Sequence, residues 1–135
     1  MKAFILAAAA IVFFAVSCKK GNEPLNTNLF GKWEARRVYG GNIYPPDSTY
    51  AVGNGNIMQF NTDSTYIHYI NNKPSNQGAF HIRRNGFKIN QAVYDEIYFD
   101  SDTSFKSLIS LNNSTLTIKP LIPDIATTDY QKISD

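Results

Sequence analysis

Few side chains in this sequence can do chemistry, and Cys18 stands out as the only cysteine in 135 residues. Without a second cysteine, a disulfide within the chain is excluded. A catalytic thiolate would need a base and a pocket, and the flanking Lys19-Lys20 supplies neither. The two histidines, His68 and His81, stand apart from any cysteine or acidic pair at the spacing of a metal site, and zinc needs three or four such ligands. Asp95, Glu96, Asp100 and Asp102 fall across one strand and one turn, which reads as a solvated rim rather than a calcium site. No serine sits in a nucleophile elbow or beside a base. The residues therefore point to no catalysis, no metal and no cofactor. A formal net charge of +2 leaves no electrostatic case for nucleic acid.

What precedes Cys18 gives the thiol a role. After Met1-Lys2 come fourteen uncharged residues, AFILAAAAIVFFAV, and then Ser17. A bilayer-spanning helix needs about 20 apolar residues, whereas a secretory signal has a hydrophobic region of about 7–15. The run is apolar on every side rather than along one stripe, unlike a surface helix of a fold. Ala15-Val16-Ser17-Cys18 resembles the lipobox of bacterial lipoproteins. In that family the cysteine becomes the acylated, palmitate-bearing first residue of the mature chain. The resemblance implies a signal peptide over 1–17, a lipidated Cys18, and a membrane as partner. Lys19 stands where an inner-membrane retention signal has aspartate, which favours the outer membrane, on its periplasmic or surface face. Residues 18–28 then form a polar linker. The stretch from Lys19 to Asn28 reaches about 35 Å at full extension.

The rest, residues 29–135, is long enough for one domain with its own core. Short runs rich in Tyr, Phe, Ile, Val and Thr alternate with Asn, Gly, Asp and Ser, the pattern of strands and turns. Asn85-Gly86 is the strongest two-residue hairpin signal, since both positions need positive φ. A turn there pairs Ile82 with Ile89 and puts Phe80, Ile82, Phe87 and Ile89 on one face. A turn at Asn112-Asn113 pairs Ile109 with Leu116, and Phe105, Ile109, Leu111, Leu116 and Ile118 share a face. In IMQFNTDSTYIHYI, Met58 and Phe60 face one way. A turn within 62–64 adds Ile67 and Tyr69 to that face; a loop one residue longer adds Tyr66, His68 and Ile70 instead. Strands at 32–39, 96–100 and 127–133 bring the number to nine. With one wet face on each, they predict an all-β antiparallel meander closed into a small barrel. Residues 40–55, with four glycines and Pro45-Pro46, form a long connection. Its Ile43, Tyr44, Tyr50 and Val52 predict a flap lying over something apolar.

Gly31-Lys32-Trp33 opens the first strand. This Gly-x-Trp resembles the signature of lipocalins and their calycin relatives, and the long loop behind it resembles the flap over a lipocalin cup. The rhythm of Phe60, Asp63 and Thr65-Tyr66, of Gly78, Phe80 and Ile82, of Leu116 to Ile118, and of Tyr130 and Lys132 is similar to the small lipocalin-like domains of Bacteroidetes lipoproteins. The resemblance implies that Trp33 packs at the closed end of the barrel. Where lipocalins stack a late arginine on that tryptophan, Lys132 is the basic residue at hand.

An eight-strand barrel has room for its own side chains or for one small ligand. If hollow, the cup would be lined by Phe60, Tyr69, Phe80, Ile82, Phe87, Ile89 and Phe105, with Arg37 at the mouth on the same face as Trp33. It would take a small hydrophobic molecule. If filled, the barrel is a protein-interaction or envelope-structural module. A monomer is expected either way. His81 falls on the polar face of its hairpin, and the facing of His68 turns on the loop at 61–65.

Overall fold

A computed structural model of the chain describes residues 28–42 and 46–135. The expected signal segment, Cys18 and the expected linker up to residue 27 lie outside the described residues, as do Ile43 and Tyr44. Among the described residues are nine strands: Gly31–Tyr39 (β1), Asp47–Thr49 (β2), Ile57–Phe60 (β3), Thr65–Ile70 (β4), Lys73–Ile89 (β5), Ala92–Phe99 (β6), Ser107–Asn112 (β7), Thr115–Pro120 (β8) and Thr127–Ser134 (β9). All pairings are antiparallel. β1 bonds β9 along one edge, and first β3 and then β2 along the other. Eight strands therefore close into a barrel and β2 is an extra rung. Closure pairs the first and last strands of the wall and leaves free edges on the short β2 and beside residues 73–79 of β5.

The strands run alternately up and down, so the connections gather at two ends. At one end lie the start of β1, the loop at 61–64, the turns at 90–91 and 113–114, and the C-terminus. The other end carries the long connection after β1, the turn at 71–72, and the loops at 100–106 and 121–126. The first end is closed. Trp33 and Leu29 are both 0 % exposed, and the indole Nε1–H donates to the Leu29 carbonyl at 2.6 Å. The Lys132 ammonium stands 5.6 Å from the Trp33 ring centroid, within range of a cation–π attraction. Around Trp33 pack Phe60, Phe80, Ile97, Ile109, Leu116, Ile118 and Tyr130. The rings of Phe60 and Phe80 meet edge to face at 5.0 Å. The closed half of the interior is filled.

The β7–β8 hairpin turns one residue later than Asn112-Asn113. Leu111 pairs with Leu116 and Ile109 with Ile118. This pairing differs from the expected one by two positions, so the apolar face is unchanged; only Phe105, 59 % exposed, leaves it. The β3–β4 loop takes its longer form. Phe60 pairs with Tyr66 and Met58 with His68, which puts Tyr66 and His68 inside and Ile67 and Tyr69 outside.

Asn85-Gly86 is not a hairpin turn. β5 runs straight through it as one long strand, and the turn falls at Asn90-Gln91, both at positive φ. Asn85 adopts the positive φ that its type favours, but within a bulge, where its N–H donates to Asp95 Oδ1 at 2.8 Å. In one continuous strand Phe87 and Ile89 have the opposite parity to Phe80 and Ile82. Phe87 pairs with Tyr94, on the face of Arg83 and Glu96, and Ile89 with Ala92. Both thus leave the inner set.

The connection after β1 does not lie back as an apolar flap over its described length. Tyr50 is exposed and Val52 is 83 % exposed. It is pinned instead from beneath by a carboxylate. Glu34, on the outer face of β1, is 3 % exposed and accepts hydrogen bonds from the N–H groups of Gly53 (2.9 Å) and Gly55 (3.0 Å), while the Arg36 guanidinium pairs with it. Burial alone would raise the Glu34 pKa. The two amides and the guanidinium outweigh it and hold the carboxyl below the ordinary range.

Candidate functional site at the open end

A pocket of about 300 Å³ opens at the end of the barrel away from Trp33. β5 creates the space. Its residues 73–79 pair with β4, whereas from Phe80 onward it pairs with β6. β6 ends at Phe99, so beside residues 73–79 the wall is open, and the loop at 100–106 passes the opening. Met58, Tyr66 and Phe99 form an apolar floor, His68 and Asn76 the wall, and Asp100, Asp102 and Phe105 the rim.

The polar groups on this floor are wired together. Asn76 Nδ2 donates to the Tyr66 hydroxyl at 3.0 Å, and that hydroxyl reaches Asp100 Oδ2 at 3.5 Å. Asp100 Oδ1 accepts from the Ala79 N–H at 3.0 Å, while the Asp100 N–H donates to the Ala79 carbonyl at 2.6 Å. Asp100 adopts φ of 56°, a left-handed conformation that aspartate tolerates better than most residues. Gly78 beside it has no room for a side chain, because a Cβ there would overlap the Asp100 carboxylate. Asp102 Oδ1 accepts from the Ser104 N–H at 2.8 Å, which fixes the next turn. The Tyr66 and Phe99 rings meet at 4.7 Å.

Burial acts on the two titratable groups of the floor and wall. It holds His68 below the usual imidazole range, so the ring is neutral at pH 7. It also raises the Tyr66 phenol, helped by the nearby Asp100 charge. No serine, threonine or cysteine is among the described lining residues, so His68 has no such nucleophile beside it. The arrangement offers an apolar seat, neutral hydrogen-bonding groups and two carboxylates.

The residues expected to line a cup are dispersed. Phe60 and Phe80 are core filling, Ile82 packs against that core, and Phe105 alone lines the pocket. Tyr69 lies outside, its hydroxyl donating to Gln59 at 3.1 Å and its ring 5.8 Å from the Lys32 ammonium. Arg37 does not share the face of Trp33. β1 carries one extra residue between Ala35 and Arg37 against Tyr130 and Asp129 of β9, and a one-residue bulge reverses the alternation beyond it. Arg37 therefore turns outward and forms a two-pronged pair with Asp47 of β2 at 2.9 and 2.5 Å. Phe87 and Ile89, as described above, are also outside.

The four acidic residues read as a rim separate. Asp95 pairs with Arg84 at 3.3 Å, Glu96 is buried with Arg83 at 4.0 Å, and only Asp100 and Asp102 edge the pocket. Among the described residues no three His, Cys, Asp or Glu side chains gather as a metal site would require. His81 is exposed and stacks on Tyr98 at 5.0 Å.

Tyr66, His68, Asn76, Phe99, Asp100 and Asp102 were not expected at a site. The first two depended on one residue of loop length. The others come together only because β5 changes partners midway. No family model matches this chain, and neither a curated protein nor a solved structure matches it.

Proposed function

We propose that this protein is a lipocalin-like binding barrel, tethered through lipid on Cys18 to the outer membrane, that holds one small, largely apolar molecule without transforming it. The observation that carries this reading is the open-end pocket, with its floor of Met58, Tyr66 and Phe99 beneath a polar rim. Its volume of about 300 Å³ matches the lower end of small-molecule sites. Support for the lipocalin likeness comes from the closed end, where the buried Trp33 of Gly-x-Trp meets Leu29 and Lys132. A tether arriving at Leu29 would enter the closed end and leave the pocket facing away from the membrane.

A second reading, a filled barrel that contacts another protein, is favoured by a different observation. Beyond the β5 bulge, the hairpin tip presents Ile89, Val93 and Tyr94 to solvent, and exposed apolar clusters mark contact surfaces.

Native mass spectrometry of the full chain purified from its own membrane fraction, followed by organic extraction, separates the two. The binding reading expects one small molecule released on denaturation and acyl mass on Cys18 that Cys18→Ala abolishes. Protein of unliganded mass, or a co-purifying polypeptide lost on Val93→Lys, would favour the second.

A further inference from the structure

The rim of the pocket is charged in one sense only. Asp100 and Asp102 both line it, and no lysine or arginine is among the described lining residues. Elsewhere Asp47 pairs with Arg37, Asp95 with Arg84 and Asp135 with Lys132, whereas Asp63 and Asp129 are held by threonine hydroxyls. Asp100 and Asp102 form no ion pair among the described residues. Their hydrogen bonds come from the backbone of Ala79 and Ser104 and from the Tyr66 hydroxyl, which orients the carboxylates but does not cancel their charge. Below them lie the rings of Tyr66 and Phe99, with Phe105 beside them on the rim, and aromatic faces attract cations.

We infer that the pocket takes a small organic cation, an ammonium group on a single ring or short chain, with its charge at Asp100 and Asp102 and its apolar body against Tyr66, Phe99 and Phe105. The inference rests on the open end being the binding site and specifies which molecules that site accepts. Size agrees with a ligand of this kind. A space of about 300 Å³ equals roughly ten water volumes at about 30 Å³ each, enough for one ring and a two-carbon arm. An anion of the same shape would meet two like charges with no compensating base. A neutral analogue would keep the apolar contacts and lose the rest.

Three probes of nearly one shape test this: 2-phenylethylammonium, 2-phenylethanol and 3-phenylpropionate, each titrated into the isotopically labelled full chain and followed by NMR. The ammonium is expected to shift the resonances of Tyr66, His68, Phe99 and Asp102 and to bind about tenfold more tightly than the alcohol, with the carboxylate weakest. That advantage shrinks with added salt. In the double variant Asp100→Asn, Asp102→Asn the two backbone-anchoring acceptors remain, and asparagine tolerates the positive φ at position 100. There the advantage of the ammonium over the alcohol is expected to vanish, with amide shifts outside the pocket preserved. The single variant Asp102→Asn, away from the strained position, should lose part of the advantage. Equal binding of ammonium and alcohol to the unaltered chain, or an advantage that survives both substitutions, overturns the inference while leaving a small-molecule pocket intact. If none of the three probes shifts these resonances, both the inference and the binding reading fall.

Discussion

Glu34 shows how much a single side chain can organise here. Its carboxylate lies beneath the turn at 53–55 and accepts two backbone N–H groups, of which that of Gly55 would otherwise be a buried donor without a partner. Leaving such groups unpaired costs about 1–3 kcal/mol, and Glu34→Ala should lose about that much in urea unfolding. The pH dependence follows from the sign of its shift. A carboxyl held below its ordinary value of 4.5 in the folded protein adds stability that is fully present above that value and is lost as pH falls through the lower folded value. The difference in Tm between the unaltered chain and Glu34→Gln should thus be constant from pH 7 to about 5.5 and shrink below 4.5. A difference that grew on acidification would contradict the arrangement. Trp33 is the other decisive residue. Trp33→Ala should cost about 3–5 kcal/mol, read by the same unfolding. The burial of Trp33 was legible from Gly-x-Trp; the role of Glu34 was not, because nothing in GKWEARR says that a turn nineteen residues onward will cover the outer face of β1.

At the level of the strands, alternation was reliable within each run and failed where the backbone gained a residue. The two-position difference in β7–β8 was harmless, whereas the single extra residue at Arg36 turned Arg37 out of the barrel. Asn85-Gly86 misleads for a physical reason. The pair favours positive φ, and a bulge satisfies that preference as well as a turn does. Continuing the strand lets Phe80 and Ile82 pair with Phe99 and Ile97. The true turn, Asn90-Gln91, makes glutamine adopt φ of 72°, a conformation that costs a non-glycine residue about 1 kcal/mol. Gln91→Gly should accordingly stabilise the protein by about 0.5–1 kcal/mol in chemical denaturation. Gly78→Ala should do the reverse. Its methyl displaces the Asp100 carboxylate, and loss of the Ala79 N–H bond should appear as faster hydrogen exchange at that amide. Exchange as slow as in the unaltered chain would mean that Asp100 does not hold the rim.

For the whole molecule, the all-β architecture was legible because the eight strands of the wall each carry an apolar and a polar face and need mutual burial; the all-polar β2 was not. The division between a filled half and an open half was not. It depends on β5 changing neighbours midway, a property of strand stagger that no local pattern encodes. Closure makes a prediction of its own. Ending the chain before Thr127 removes β9 and leaves both β1 and β8 with unpaired edges, so such a protein should elute as aggregates in size-exclusion chromatography rather than as a smaller monomer.

The seam between β1 and β9 joins the first described strand to the last. Trp33 therefore leaves the ribosome well before β9, the strand that closes the wall beside it. No partial product can hide that indole from water. The interior is sealed only once β9 has docked between β1 and β8, and this timing is set by connectivity, which also makes barrel formation slow relative to local hairpins.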